Sequence, residues 1–221
     1  MLKWQWTQKH LNQIIVNKLT KGKKMKTKLF ALVTGILIAT QLVFAEEVAS
    51  GIAKAKVAEL TAHRIDRLVS LNKIDNLFLT KTAKFEITVV QNQAPAYFNV
   101  RVYQTQPAQG EAVQMDIVYD NNGKPLSFNV LPGGTAGPDE AWEAVDAITL
   151  LENGLHYVLE NGEKDAKVKP FYTALTTISL SKGQSNGKSI ARVQMRSSES
   201  PLNLNVYLNL DGSFISADFV Q

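Results

Sequence analysis

The stretch NLNVYLNLDGSFISADFV, Asn203 to Val220, decides the fold. Two alternating runs flank Asp211-Gly212, a dipeptide that favours a two-residue type I′ turn with both central residues at positive φ. Such a turn fixes the register. It predicts Leu204–Phe219, Val206–Ala217, Leu208–Ile215 and Leu210–Ser213 on one face. On the other it predicts Asn203–Val220, Asn205–Asp218, Tyr207–Ser216 and Asn209–Phe214. The first set is mostly apolar and the second mostly polar. A slip of one residue would turn the apolar set outward, so pattern and turn agree on one register.

The same device stands earlier, around Asn122-Gly123. It predicts Tyr119–Leu126, Ile117–Phe128 and Met115–Val130 on one face, with Val118–Ser127 and Asp116–Asn129 on the other. Pro125 falls opposite Asp120, where its missing N–H costs little. Gly123 and Gly212 lie 89 positions apart (212 minus 123). A repeat of that length points to a duplicated unit.

Outward from the hairpins, the rest of the chain falls into two similar strings. From Glu46 to about Asp75, Val48, Ile52, Ala55, Ala62, Ile65 and Val69 recur at helical spacing. Asn76 to Lys81 reads as a further turn. Strands follow at Lys84–Val90 and Tyr97–Thr105, and then the first hairpin. Residues 132–137 are a Gly- and Pro-rich connector that breaks both helix and strand. Pro138 suits the first position of a second helix, with Asp139 and Glu140 in its first turn. Trp142, Val145, Ile148 and Val158 mark its apolar stripe, and Asn161-Gly162 its end. Phe171–Ser181 and Ser189–Arg196 read as strands joined by a flexible turn at Lys182–Lys188.

The expected fold class is therefore α+β, with two tandem α-β4 units over 46–131 and 138–221. In each unit one helix covers the apolar face of a four-stranded antiparallel sheet. The two units either share one sheet of about eight strands or hold two abutting sheets.

Composition bounds the setting. Met25-Lys26-Thr27-Lys28, the apolar run Leu29–Phe44 and Val43-Phe44-Ala45 have the order of a secretory signal peptide, so residues 25–45 are expected to be cleaved after Ala45. Residues 1–24 then read as a spurious extension ahead of a start at Met25. The whole chain has 24 basic and 20 acidic side chains. Residues 1–45 contain 8 Lys and no acid, so the remainder has 16 basic and 20 acidic groups, a formal charge of −4 instead of +4. That balance gives no basic footprint for nucleic acid, and no nucleic-acid-binding motif occurs. The absence of cysteine excludes disulfides, thiolate ligands and thiol nucleophiles. No other apolar run is long enough to span a membrane. The expected location is the periplasm or the exterior.

The helix-then-sheet order and the turns Tyr119-Asp120-Asn121-Asn122-Gly123-Lys124 and Leu210-Asp211-Gly212-Ser213 resemble tandem PepSY-like and beta-lactamase-inhibitor-like exported domains. Cystatin-like folds would give a similar string. The resemblance implies binding or inhibition of another protein, and not catalysis. It carries over no functional residue.

Side chains with chemistry are few. His63 and His156 would converge if the two helices lie side by side, with Asp66 near the first and Glu152 or Glu160 near the second. The ligand number falls short of a typical zinc site, so neither metal nor cofactor is expected. Asp139-Glu140 is explained by the helix dipole, and Leu131 to Gly137 lacks the Gly-Lys-Ser/Thr end of a phosphate loop. No catalytic set is suggested by local sequence, so the chain is expected not to be an enzyme. Tyr207 and Phe214, diagonal neighbours on the polar face of the last hairpin, are the expected partner-binding residues. A protein partner is the first expectation, and carriage of a lipid or other apolar ligand between sheet and helices is the alternative.

Overall fold

The computed structural model describes residues 51–90, 96–106, 111–138, 142 and 144–221. The expected signal peptide, its cleavage site and Asp139-Glu140 lie outside them. The described chain contains α1 (Lys54–Ser70), α2 (Leu77–Thr80), β1 (Thr82–Val90), β2 (Tyr97–Gln104), β3 (Val113–Asp120) and β4 (Pro125–Pro132). These are followed by α3 (Ala147–Asn161), α4 (Lys169–Thr173), β5 (Leu175–Ser185), β6 (Lys188–Ser197), β7 (Asn203–Leu208) and β8 (Phe214–Val220). The strands form one 8-stranded antiparallel sheet in the order β4-β3-β2-β1-β5-β6-β7-β8. The fold is α+β, and of the two sheet arrangements left open by the sequence the continuous one is observed. Its centre is β1 against β5, where Phe85 pairs with Ile178.

Alternation along the strands sends one set of side chains to the core. Phe85, Ile87, Val100, Val102, Met115, Ile117, Ile178, Val193, Met195, Leu204, Val206 and Leu208 are buried. The helices α1 and α3 pack on this face and on each other. α1 brings Ala55, Ala58, Ala62, Ile65 and Leu68, and α3 brings Ile148, Leu151, Leu155 and Val158. Each large apolar side chain buried this way stabilises the fold by about 1.5–3 kcal/mol. Among the described residues, no helix is long and apolar enough to cross a membrane.

Both helices begin later than their apolar spacing predicts. α1 starts at Lys54, because Ala53 (ψ 140) is extended and Ile52 donates its N–H to the Asn121 carbonyl at 3.0 Å. α3 starts at Ala147, after Asp146 in an extended conformation (ψ 152). The helix runs through Gly154 to Asn161, next to the end expected at Asn161-Gly162. A Cβ on Gly154 would stand 2.6 Å from the Val193 Cβ and 2.7 Å from both its methyls. Glycine here sets how closely α3 can approach β6. Phe171, expected in a strand, lies instead in the short helix α4 around Pro170.

The hairpin turns differ from the expected type. Asn209 donates to Ser213 O at 2.8 Å, Gly212 donates to Asn209 O at 2.9 Å, and of the two turn residues only Gly212 (φ +87) is at positive φ. This is a three-residue loop built on a type I turn with a left-handed glycine, not a type I′ turn. Asp120–Lys124 repeats it, with Gly123 at φ +82. Each loop shifts the register by one residue, and a bulge at Leu126 or Ile215 shifts it back. Pairing from Val118↔Ser127 and from Tyr207↔Ser216 onward is therefore as expected. Next to the turns it is not: Tyr119 pairs with Pro125, and Leu208 pairs with Phe214. Two positive φ values in a two-residue hairpin turn occur instead at Asn186-Gly187 (52 and 74), which closes β5 on β6 with Ser185 opposite Lys188. The stretch read as a flexible turn is thus largely strand.

Candidate interaction surface

The face of the sheet away from the helices carries the polar half of every strand. One row crosses all eight strands: Leu131, Gln114, Tyr103, Lys84, Ser179, Gln194, Asn205 and Asp218. The next row on one side contains Asn129, Asp116, Arg101, Glu86 and Thr177. Cross-strand neighbours stand about 4.5–5.5 Å apart, close enough for direct pairing.

The pairs formed are specific. Arg101 Nε and Nη2 donate to Asp116 Oδ1 and Oδ2 at 2.7 and 3.0 Å, a two-pronged contact. Glu86 accepts from Lys84 Nζ at 2.7 Å and from Tyr103 OH at 2.7 Å. The Lys84 ammonium also stands 4.1 Å from the centre of the Tyr103 ring. Partial burial alone would raise the Glu86 carboxyl. The hydrogen bonds from Lys84 and Tyr103 and the charges of Lys84 and Arg101 outweigh it and hold the carboxyl below its usual range. Tyr103 is pushed up by burial and by Glu86, and Arg101 is pushed up mainly by its bond to Asp116. On β6–β8, Gln194 donates to Asn205, Asn205 to the Tyr207 hydroxyl (3.3 Å), and Tyr207 to Asp218 (3.3 Å).

The two residues singled out by sequence do not form one patch. Tyr207 is on this open face. Phe214 is on the helix side, stacked on Tyr157 of α3 with ring centres 5.6 Å apart and planes 6° from parallel. The bulge at Ile215 is the cause, because it brings Phe214 opposite the buried Leu208. Lys84, Glu86, Arg101, Tyr103 and Asp116 were not singled out as a group. Their period-two spacing places them on one face, but their convergence depends on strand pairing that spacing alone does not specify.

Each histidine meets a carboxylate, one across the seam between the two helices and one within α3. His63 Nε2 lies 3.5 Å from Glu152 Oε1 across the α1–α3 seam, and His156 Nε2 lies 3.0 Å from Glu160 one turn along α3. Shallow clefts of about 240 and 270 Å³ flank this seam. The Glu152 carboxyl is pushed up by burial and by Asp66 and Glu59, against the pull of His63. Among the described residues, no three His, Asp or Glu side chains are arranged to hold a metal ion.

Comparison with family models, curated proteins and solved structures finds no match to this chain.

Proposed function

We propose that the protein is an exported, non-enzymatic binding module, inhibitor-like in mode, that takes a protein partner on the open face of its sheet. The observation that carries this reading is the pre-formed pairing on that face. Arg101–Asp116 and Lys84–Glu86–Tyr103 are fixed before any partner arrives, so less side-chain entropy is lost on docking. Tyr103 and Tyr207 add aromatic area with a polar tip, the residue type enriched at interfaces.

Within the same reading, the scaffold is two tandem α-β4 units. Several correspondences support this. α1 and α3 start 93 positions apart (147 minus 54), as do β1 and β5 (175 minus 82). Thr105 N–H to Lys81 O in the first half corresponds to Ser198 N–H to Ala174 O in the second. His63 and Glu59 correspond to His156 and Glu152 at that offset. The last hairpins keep the offset of 89, because the β2–β3 connection is longer than the β6–β7 connection.

The test is a pull-down from the native envelope or secreted fraction with wild type and a Tyr103→Ala, Tyr207→Ala variant, both checked by circular dichroism. A stoichiometric protein held by wild type and lost by the folded variant is expected. A co-purified lipid with no protein would favour the carrier reading. A specific hydrolytic activity lost on changing one polar residue would overturn the non-enzymatic one.

A further inference from the structure

We propose that β4 is a self-pairing edge, so that two copies of this chain join β4 to β4 about a two-fold axis at Asn129. Among the described residues β4 ends the sheet, and no strand among them pairs with the row of backbone groups on its outer side. Edge strands are commonly guarded by charge, and Pro125–Pro132 contains none. Leu126 and Val130 are 57% and 39% exposed. The opposite edge is different. β8 carries Asp218, and Tyr157 stacks on its Phe214.

The occupant follows from the pattern of the strand itself. In an antiparallel pair centred on Asn129, Phe128 stands opposite Val130, Asn129 opposite Asn129 and Ser127 opposite Leu131. Apolar meets apolar on the helix side, and an amide meets an amide on the axis. These residues lie past the bulge at Leu126, where β4 pairs regularly with β3. Charges do not oppose the contact. Lys124 would face Gly134, and the two Asp116 carboxylates beside the axis are each already held by Arg101 at 2.7 Å. Pro125 and Pro132 have no N–H to donate and so close the pairing at both ends. A two-fold contact of this kind is isologous and stops at the dimer. Its size is at the small end for protein interfaces, about 1,200 Å² or less, so the dimer should dissociate on dilution.

The test is sedimentation velocity of the purified protein over a concentration series, with Asn129→Lys and Asn129→Asp variants whose folding is checked by circular dichroism. Wild type is expected to rise to a dimer plateau. Each variant alone places like charges on the axis and should associate at least about tenfold more weakly, a 1.4 kcal/mol change. A one-to-one mixture of the two should recover the dimer, which a merely misfolded variant could not do. Wild type that stays monomeric throughout overturns the proposal. So do variants that dimerise as wild type does, a mixture that fails to recover, or growth beyond the dimer, which would point to β4 meeting β8.

Discussion

Gly154→Ala offers a sharp test, because two effects of known size oppose each other. In an exposed helix the change would stabilise by about 1 kcal/mol, since glycine is that much poorer than alanine in a helix interior. Here the new methyl would meet three atoms of Val193 at 2.6–2.7 Å. Val193 is fully buried and branched at Cβ, on a strand paired on both sides, so it cannot swing away. Overpacking of this kind costs about 1–3 kcal/mol. The net expectation is destabilisation of up to about 2 kcal/mol once the helix gain is subtracted. Urea unfolding followed by circular dichroism reads it directly, and the midpoint should fall with the slope unchanged. A second variant isolates the cause. Val193→Ala alone should cost on the order of 2 kcal/mol. In the double variant the two methyl contacts at 2.7 Å are gone and only the contact with the Cβ of position 193 remains, so the loss should be smaller than the sum of the two single changes. A Gly154→Ala protein more stable than wild type by the full helix-propensity amount would refute the close approach of α3 to β6.

Four further expectations follow from the buried and paired groups. Glu86 sits below its usual range, so its contribution to stability is complete above about pH 4.5 and is lost as pH falls through the folded value. Glu86→Gln should therefore flatten the acid limb of a stability–pH curve. Glu152 sits above its usual range, so its ionisation weakens the fold as pH rises through that region. Glu152→Gln should raise stability at pH 7, and the gain should vanish in acid; denaturant titrations at several pH values check both signs. The buried Tyr119 and Thr61 hydroxyls are hydrogen-bonded at 3.1 Å, and Thr61 also donates to Val57 O at 2.8 Å. Tyr119→Phe leaves Thr61 its bond to Val57, so the loss should be only about 1 kcal/mol. The Tyr119 phenol is pushed up to about 12 by burial, so an ultraviolet titration of the folded proteins should show one more phenol ionising well above pH 10 in wild type than in Tyr119→Phe.

The fold was largely legible because period-two alternation and paired turn residues constrain the same register. Ile117↔Phe128 and Val206↔Ala217 could be written down before any coordinates. The turn type was not legible. Asp-Gly and Asn-Gly serve both a two-residue turn and a three-residue loop, and the compensating bulges at Leu126 and Ile215 restore the expected pairs beyond them. That hidden shift put Phe214 on the wrong face in the sequence reading and separated it from Tyr207. The helix starts were misplaced because Ile52 and Trp142, which pack against the core, continue a helical spacing although neither residue is helical. The polar cluster around Arg101 was only half legible. Alternation gives the face of each residue, but Glu86, Arg101 and Asp116 become neighbours only through the β1–β2 and β2–β3 registers.

The most direct measurement of the central claim is site-specific photocrosslinking in the native envelope or secreted fraction. One probe replaces Tyr103 on the open face, and a second replaces Tyr157 on the helix side. The account predicts one discrete protein adduct from position 103 and none from position 157. Adducts from position 157 alone, or equally from both, would contradict a partner docked on the open face of the sheet.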